Sequence, residues 1–417
     1  MDAQSLFRPR IQAPVLERLL AKHPVVVLHG ARQTGKTTLA RAHPTGDDRT
    51  YRTLDNLETL QVAHEDPRAL LGADRLTLDE VQRHPEVLSA IKIDVDQDRR
   101  PGRFLLTGSA NLLLMQTVSE SLAGRAVYLP LPPLTWAEVE QRSFGRALDA
   151  ALEAASIEHL LASFPKAPLT RSLGQALFAG GFPPSALSED RAFRSEWLDG
   201  YVQTYLERDL RQLSAVDSLP EFRRLMQIAA SRNGALLNVT SLANDAGLPP
   251  TTARRYLNLL EVSFQIHRLP AYAVNRGKRL IKSPKLIWSD AGLSAHLTGF
   301  LTEEDLTGSR EWGSWVEAWV GQHLWTYASL KSPRPSLCHW RTADGLEVDF
   351  VLEHGRRLLP IEVKTTTRPG LRDAKGMRVF LERHPEAPFG ILACECAAPA
   401  VVASNILAVP ISGLLLN

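Results

Sequence analysis

Gly30-Ala31-Arg32-Gln33-Thr34-Gly35-Lys36-Thr37 is a glycine-bounded loop closed by a lysine and a hydroxyl; it follows the apolar run Val25 to Leu28 and opens a helix through Thr38 and Leu39. Between a strand and a helix, such a loop turns backbone N–H groups inward onto a phosphate, and the helix N-terminus adds a favourable dipole. The ligands expected are ATP and Mg²⁺. Lys36 is placed to meet the β- and γ-phosphates, the Thr37 hydroxyl to hold the metal, and Gly30, Ala31, Arg32, Gln33, Thr34, Gly35 and Thr38 to complete the cradle. A carboxylate for the same ion is expected at a neighbouring strand end, and Leu76-Thr77-Leu78-Asp79-Glu80 offers Asp79, with Glu80 suited to polarise an attacking water. A third strand, Phe104 to Ser109, brings Thr107 or Ser109 beside the γ-phosphate, unless these residues only form a turn. Arg125, in SLAGRA, is positioned either to stabilise transition-state charge on a neighbouring subunit's nucleotide, which implies a homo-oligomer, or to form an ordinary salt bridge.

A second group of ionisable residues lies near the C-terminus. Glu347 to Leu352 and Leu358 to Lys364 have the character of two strands turning at Gly355-Arg356. Facing residues across a two-residue turn share one number sum, which sets Asp349 opposite Glu362. Adjacent carboxylates repel unless a proton or cation lies between them, so this register invites a divalent metal. Lys364 shares the face of Glu362 and is placed to orient or deprotonate water, while Val363 points into the core. Metal-holding acids beside a lysine suit phosphodiester hydrolysis. The D…E-x-K arrangement is similar to the catalytic core of restriction-endonuclease-like nucleases, and Glu317 on the preceding helix matches their additional acid. The alternatives are a plain Glu362–Lys364 ion pair and an inherited fold that no longer cleaves.

Between these groups, Arg254 to Lys285 is rich in basic residues with Glu261 its only acid. The stretch from Leu237 gives a short helix, a turn at Gly247 and a second helix opened by Thr251, a helix-turn-helix pattern. Arg254, Arg255 and Asn258 fall on its second helix, where a DNA groove would be met, and Arg276, Lys278, Arg279 and Lys282 are placed to track phosphates from a following wing. The competing reading is packing against another domain or a protein partner.

These residues need several frameworks to hold them. The chain has 417 residues, a prior of two to three domains. Its 44% hydrophobic and 23% charged content excludes wholesale disorder and fibrous architectures. Lys+Arg 48 against Asp+Glu 46 makes any nucleic-acid surface a local patch. Three cysteines are too few for a disulfide framework, and no run is apolar and unbroken enough for a membrane span, so a cytoplasmic protein with no membrane partner is expected. Apolar runs separated by crossover-length stretches make 1–135 an α/β domain; 136–220 has helical spacing broken at Gly180-Gly181-Phe182-Pro183-Pro184; 221–305 carries the helix-turn-helix and a hairpin; 306–417 is a small second α/β domain.

GARQTGKTTLAR, TLDEVQRHPEVLSAIK, GRFLLTGSANLL and SLAGRA, continued by GGFPPSAL, YVQTYLERDL, NRGKRLIKSPKLIWSDAGLSAHL and EVDFVLE…PIEVK, resemble prokaryotic AAA-type ATP-binding proteins with a C-terminal domain of unknown function. The likeness spans essentially the whole chain. It implies a P-loop AAA-type ATPase core with a helical lid over 136–220, a winged-helix middle region and a restriction-endonuclease-like C-terminal domain. The expected function is Mg²⁺-dependent ATP hydrolysis coupled to DNA binding or remodelling. An ATP-switched metal-dependent nuclease and a regulatory ATPase acting on a protein partner are the alternatives.

Overall fold

The computed structural model describes residues 7–42, 49–109, 122–164, 169–204, 218–279 and 282–417; the side chains of Ser109, Arg276 and Lys278 lie outside the described residues. The chain divides into two units, one of Met1–Pro133, Tyr201–Asp217 and Asn258–Gln265, the other of Leu134–Gly200, Ser218–Leu257 and Ile266–Asn417.

In the first unit, β1 (Val25–Gly30), β2 (Arg49–Thr53), β3 (Arg75–Asp79), β4 (Phe104–Ser109) and β5 (Ala126–Pro130) form a parallel sheet in the order β2-β3-β4-β1-β5. The apolar runs are nearly continuous because both faces are covered. Along β1, Val25 and Val27 join the cluster that holds Leu88, Ile91 and Val95 of helix Val87–Gln97, whereas Val26 and Leu28 join the one that holds Leu16, Leu20 and Leu39. Period-2 alternation thus feeds two cores from one strand. Since β1 lies between β4 and β5, the carboxyl ends of β1, β4 and β3 stand side by side, which gathers the P-loop, Thr107 and Asp79.

In the second unit, helices Leu219–Ser231, Val239–Ala246 and the start of Pro250–Val262 precede an antiparallel pair, β6 (Ile266–Leu269) and β7 (Lys285–Trp288). Asn238 caps the second helix by accepting from Ser241 N at 3.0 Å, and Gly247 ends it in the left-handed region at φ 64°. A six-stranded sheet follows: β8 (Ser336–Arg341), β9 (Glu347–His354), β10 (Arg357–Lys364), β11 (Gly390–Cys394), β12 (Ala400–Ala403) and β13 (Ile406–Pro410), in the order β12-β13-β11-β10-β9-β8. The β9–β10 hairpin turns at Gly355-Arg356, and its register runs from Arg357↔His354 to Ile361↔Phe350, as the turn position requires.

The described residues between 136 and 200 do not form a separate helical body. Trp136, Leu148, Leu152 and Leu177 share one buried core with Trp315, Trp319 and Val320 of helix Trp312–Leu330 and with Phe350 and Ile361 of the sheet. Two polar ties reinforce it: Trp136 N donates to His323 Nε2 at 2.9 Å, and the Tyr327 hydroxyl donates to Asp149 at 2.6 Å. The sharp corner is held by Asp290, which accepts from Gly181 N at 2.6 Å and Phe182 N at 3.1 Å. Gly180 there has φ 70°, and a Cβ on it would stand 2.5 Å from the Asp290 carboxylate. The apolar stripe of these residues is satisfied by the C-terminal sheet and helix, which corrects the expectation of a separate lid for this part of the segment; residues 205–217 lie outside the described residues.

Candidate nucleotide site and C-terminal carboxylate cluster

The loop after β1 is shaped by its backbone. A Cβ on Gly30 would lie 2.3 Å from the Leu131 carbonyl oxygen, so only glycine fits, and Gln33 and Gly35 adopt left-handed φ of 66° and 91°. Thr34 Oγ1 donates to Ala31 O at 3.0 Å. Arg10, which sequence reasoning missed, braces the loop from outside: its guanidinium donates to Thr34 O at 2.6 Å and Pro132 O at 2.7 Å. Lys36 Nζ is buried and donates to Ala31 O at 2.8 Å and Gly30 O at 3.2 Å. Burial pushes its pKa down to about 8 against the opposing pull of Glu80 and Asp79.

Asp79, 2% exposed, is the hub of the strand ends. Its Oδ2 accepts from Thr37 Oγ1 at 2.9 Å and from the Tyr51 hydroxyl at 2.6 Å, and its Oδ1 accepts from Thr107 Oγ1. Burial and the Asp79 carboxylate push the Tyr51 hydroxyl up to about 12, so it stays a donor. Glu80 sits in the left-handed region at φ 57° and accepts from Gln82 Nε2. A hydroxyl and a carboxylate at 2.9 Å, beside a buried ammonium and a loop whose first residue, Gly30, has no room for a Cβ, fit Mg²⁺ and a nucleoside triphosphate, because Mg²⁺ in such sites takes few protein ligands. The backbone of Ser109 pairs with Gly30 across β4 and β1. Arg125 is engaged within its own chain, donating to Asp96 at 2.6 and 2.8 Å, so action on a neighbouring subunit requires that pair to open.

At the C-terminal end, Asp349 and Glu362 are 2% and 4% exposed. Asp349 Oδ2 accepts from Val363 N at 2.9 Å, and Glu362 Oε1 accepts from Lys364 Nζ at 2.8 Å. Burial followed by the neighbouring Asp349 charge pushes both Glu317 and Glu362 up to about 8. Lys285 of β7, counted from sequence only as part of a basic run, is buried here: its Nζ lies 2.5 Å from Glu317 Oε1 and 3.4 Å from Asp349 Oδ1. The expected metal cage of Glu317, Asp349 and Glu362 is not assembled. Among the described residues no group of three His, Cys, Asp or Glu side chains could hold a metal ion, and an ammonium bridges two of these carboxylates instead.

Of the residues expected to meet DNA, Arg254, Arg255 and Asn258 are exposed on helix Pro250–Val262, and Lys282 is exposed. Arg279 is not available: its side chain is 12% exposed, paired with Glu353 at 2.5 and 3.2 Å, and donates to Ala273 O at 2.7 Å. The side chains of Arg276 and Lys278 lie outside the described residues.

Residues 22–140 match an AAA domain, 170–304 a domain of unknown function (DUF8612) and 312–414 a domain of unknown function (DUF4143). Parallel sheet, glycine-bounded loop, buried lysine and strand-end aspartate accordingly define an AAA-type P-loop ATPase domain. The chain is 33% identical over 379 residues to the uncharacterized protein Rv2008c of Mycobacterium tuberculosis, covering 90% of this chain and 78% of that one, and equally to the uncharacterized protein Mb2031c of Mycobacterium bovis. It belongs to the family that these mycobacterial proteins represent. An uncharacterized protein of Haemophilus influenzae is 24% identical over 225 residues, 52% of this chain and 50% of that one. Among solved structures, the Walker-type ATPase PABY2304 of Pyrococcus abyssi aligns with 71% of this chain and 97% of its own at 15% identity and a TM-score of 0.44. The Thermotoga maritima RuvB Holliday junction branch migration motor aligns with 66% and 96% at 20% identity and a TM-score of 0.28. Both likenesses are distant, and nothing functional follows from them. Among the described residues no helix is long and apolar enough to cross a membrane.

Proposed function

We propose that the protein is a Mg²⁺-dependent ATPase of the AAA type that couples its nucleotide state to DNA binding or remodelling in the cytoplasm. The observation that carries the ATPase reading is the Thr37–Asp79 contact beside the buried Lys36 ammonium. When ATP enters, the loop N–H groups receive its phosphates and Lys36 exchanges the Gly30 and Ala31 carbonyls for phosphate oxygens, an exchange that trades neutral acceptors for charged ones. Thr37 and Asp79 would hold Mg²⁺, which would supply charge neutralisation at the phosphate oxygens. Thr107 and Tyr51 keep the Asp79 carboxylate oriented. Glu80 orients and accepts a proton from the attacking water, and Arg125 of a neighbouring copy in a homo-oligomer neutralises developing charge.

The DNA reading is supported by the three helices and β6–β7 hairpin, an order that suits a winged helix, and by the exposed Arg254, Arg255 and Lys282. Within the first unit the Tyr201 hydroxyl lies 3.4 Å from Arg32 O of the P-loop and accepts from Gln265 Nε2 at 3.2 Å. The β9–β10 hairpin with parallel β11 beside it supports a restriction-endonuclease-like fold for the C-terminal domain. Steady-state ATP hydrolysis measured with single-stranded, duplex and branched DNA tests the proposal. Stimulation by one of them is expected; equal rates with and without every DNA, together with no salt-sensitive DNA binding, would point to a protein partner instead.

A further inference from the structure

The C-terminal carboxylates of Glu317, Asp349 and Glu362 come from one helix and two strands, and the fourth member of the group, Lys285, comes from β7 of the preceding hairpin. Its side chain is 5% exposed and crosses to the cluster over the Phe350 ring, 5.9 Å from the centroid. The ammonium touches both Glu317 Oε1 and Asp349 Oδ1, oxygens of two different carboxylates. Lys364 sits on Glu362 Oε1, while Glu362 Oε2 is buried with no hydrogen-bond partner. Buried carboxylates must be compensated by a proton or a cation, and one compensating charge leaves little electrostatic gain for a second at the same place.

We propose that Lys285 is a built-in counter-ion standing where a divalent cation would bind, so that the carboxylate cluster excludes metal and acts as an ion-pair lock between the β6–β7 hairpin and the C-terminal sheet. The lock is independent of the nucleotide site and holds whether or not the chain hydrolyses ATP. Removing only the ammonium frees Glu317 Oε1 and Asp349 Oδ1, and the unpartnered Glu362 Oε2 is the third oxygen available to an incoming ion.

The test is Mn²⁺ binding to the full, nucleotide-free chain, followed by electron paramagnetic resonance of free Mn²⁺ and by thermal melting. Any ion at Thr37 and Asp79 is common to all variants and cancels in the comparison. Wild type and Asp349→Asn are expected to hold the same number of Mn²⁺ ions, Lys285→Met one more, and Lys285→Met/Asp349→Asn to lose that extra ion. Mn²⁺ at about 100 times its dissociation constant should raise the melting point of Lys285→Met by roughly 5 °C beyond any rise in wild type. A wild-type ion that Asp349→Asn removes overturns the proposal, and so does a folded Lys285→Met that gains no ion. Should Lys285→Met not fold, the wild-type and Asp349→Asn comparison decides, with equal occupancy supporting the lock and unequal occupancy overturning it.

Discussion

Asp79 accepts from three hydroxyls, those of Thr37, Tyr51 and Thr107, contributed by the P-loop helix, β2 and β4. A carboxylate fixed in this way is preorganised for a cation, and the cost of reorienting it is met in folding rather than in turnover. Thr107→Val removes one of the three and leaves Oδ1 short of a donor; weaker Mg²⁺-ATP binding, by about tenfold, is expected in a titration calorimeter. Glu80→Gln keeps the shape but removes the proton acceptor, so ATP binding should persist while phosphate release falls on the order of 100-fold or more; an unchanged rate would take Glu80 out of the mechanism. Lys36, Thr37, Asp79 and Glu80 were legible because loop, strand and carboxylate follow one another in a recognisable order. Arg10 was not legible, since its partners are the backbone carbonyls of Thr34 and Pro132, which leave no mark in residue types. Tyr51 becomes readable only once β2 is known to lie beside β3. The ordinary salt bridge weighed for Arg125 is present with Asp96.

Among the elements, helix Trp312–Leu330 has the widest consequences. It is buried nearly all round, from Trp315 through Tyr327, because the sheet covers one side and helices of residues 134–200 another. The helical spacing of residues 136–220 was readable in sequence, but an apolar stripe does not name the surface it will meet, and this one meets that helix. His323 seals the contact, accepting from Trp136 N with one ring nitrogen and facing Trp319 O with the other. Burial pushes its pKa down to about 4. The neutral ring contributes stability that is complete above the unfolded value of about 6.5 and is lost as pH falls toward 4. From pH 7 to pH 5 the loss from this residue is about 2 kcal/mol, readable as a shift in urea unfolding followed by tryptophan fluorescence. His323→Gln, which can still accept from Trp136 N, should flatten that dependence by a similar amount; an identical pH slope would contradict the assignment.

On the scale of the whole chain, the α/β AAA core was legible from its motifs, whereas the sharing of one core by residues far apart in sequence was not. Lys285 illustrates the limit: it lies 64 positions from Asp349, in a basic run that suggested solvent and phosphate, yet ends in a buried ion pair. Arg254 and Arg255 differ from it, since their exposure agrees with a role toward a polyanion. Arg254→Glu/Arg255→Glu should lower DNA affinity and reduce the dependence of log affinity on log salt by about one for each phosphate that the variant no longer neutralises. An unchanged salt slope would move the DNA surface elsewhere. The most direct measurement is Mg²⁺-dependent phosphate release from ATP by purified wild type and Lys36→Ala at equal concentration. Wild type is predicted to turn over and Lys36→Ala to lose at least about 100-fold of that rate. Equal turnover by the two proteins would mean that the lysine-closed loop after β1 is not where ATP is hydrolysed.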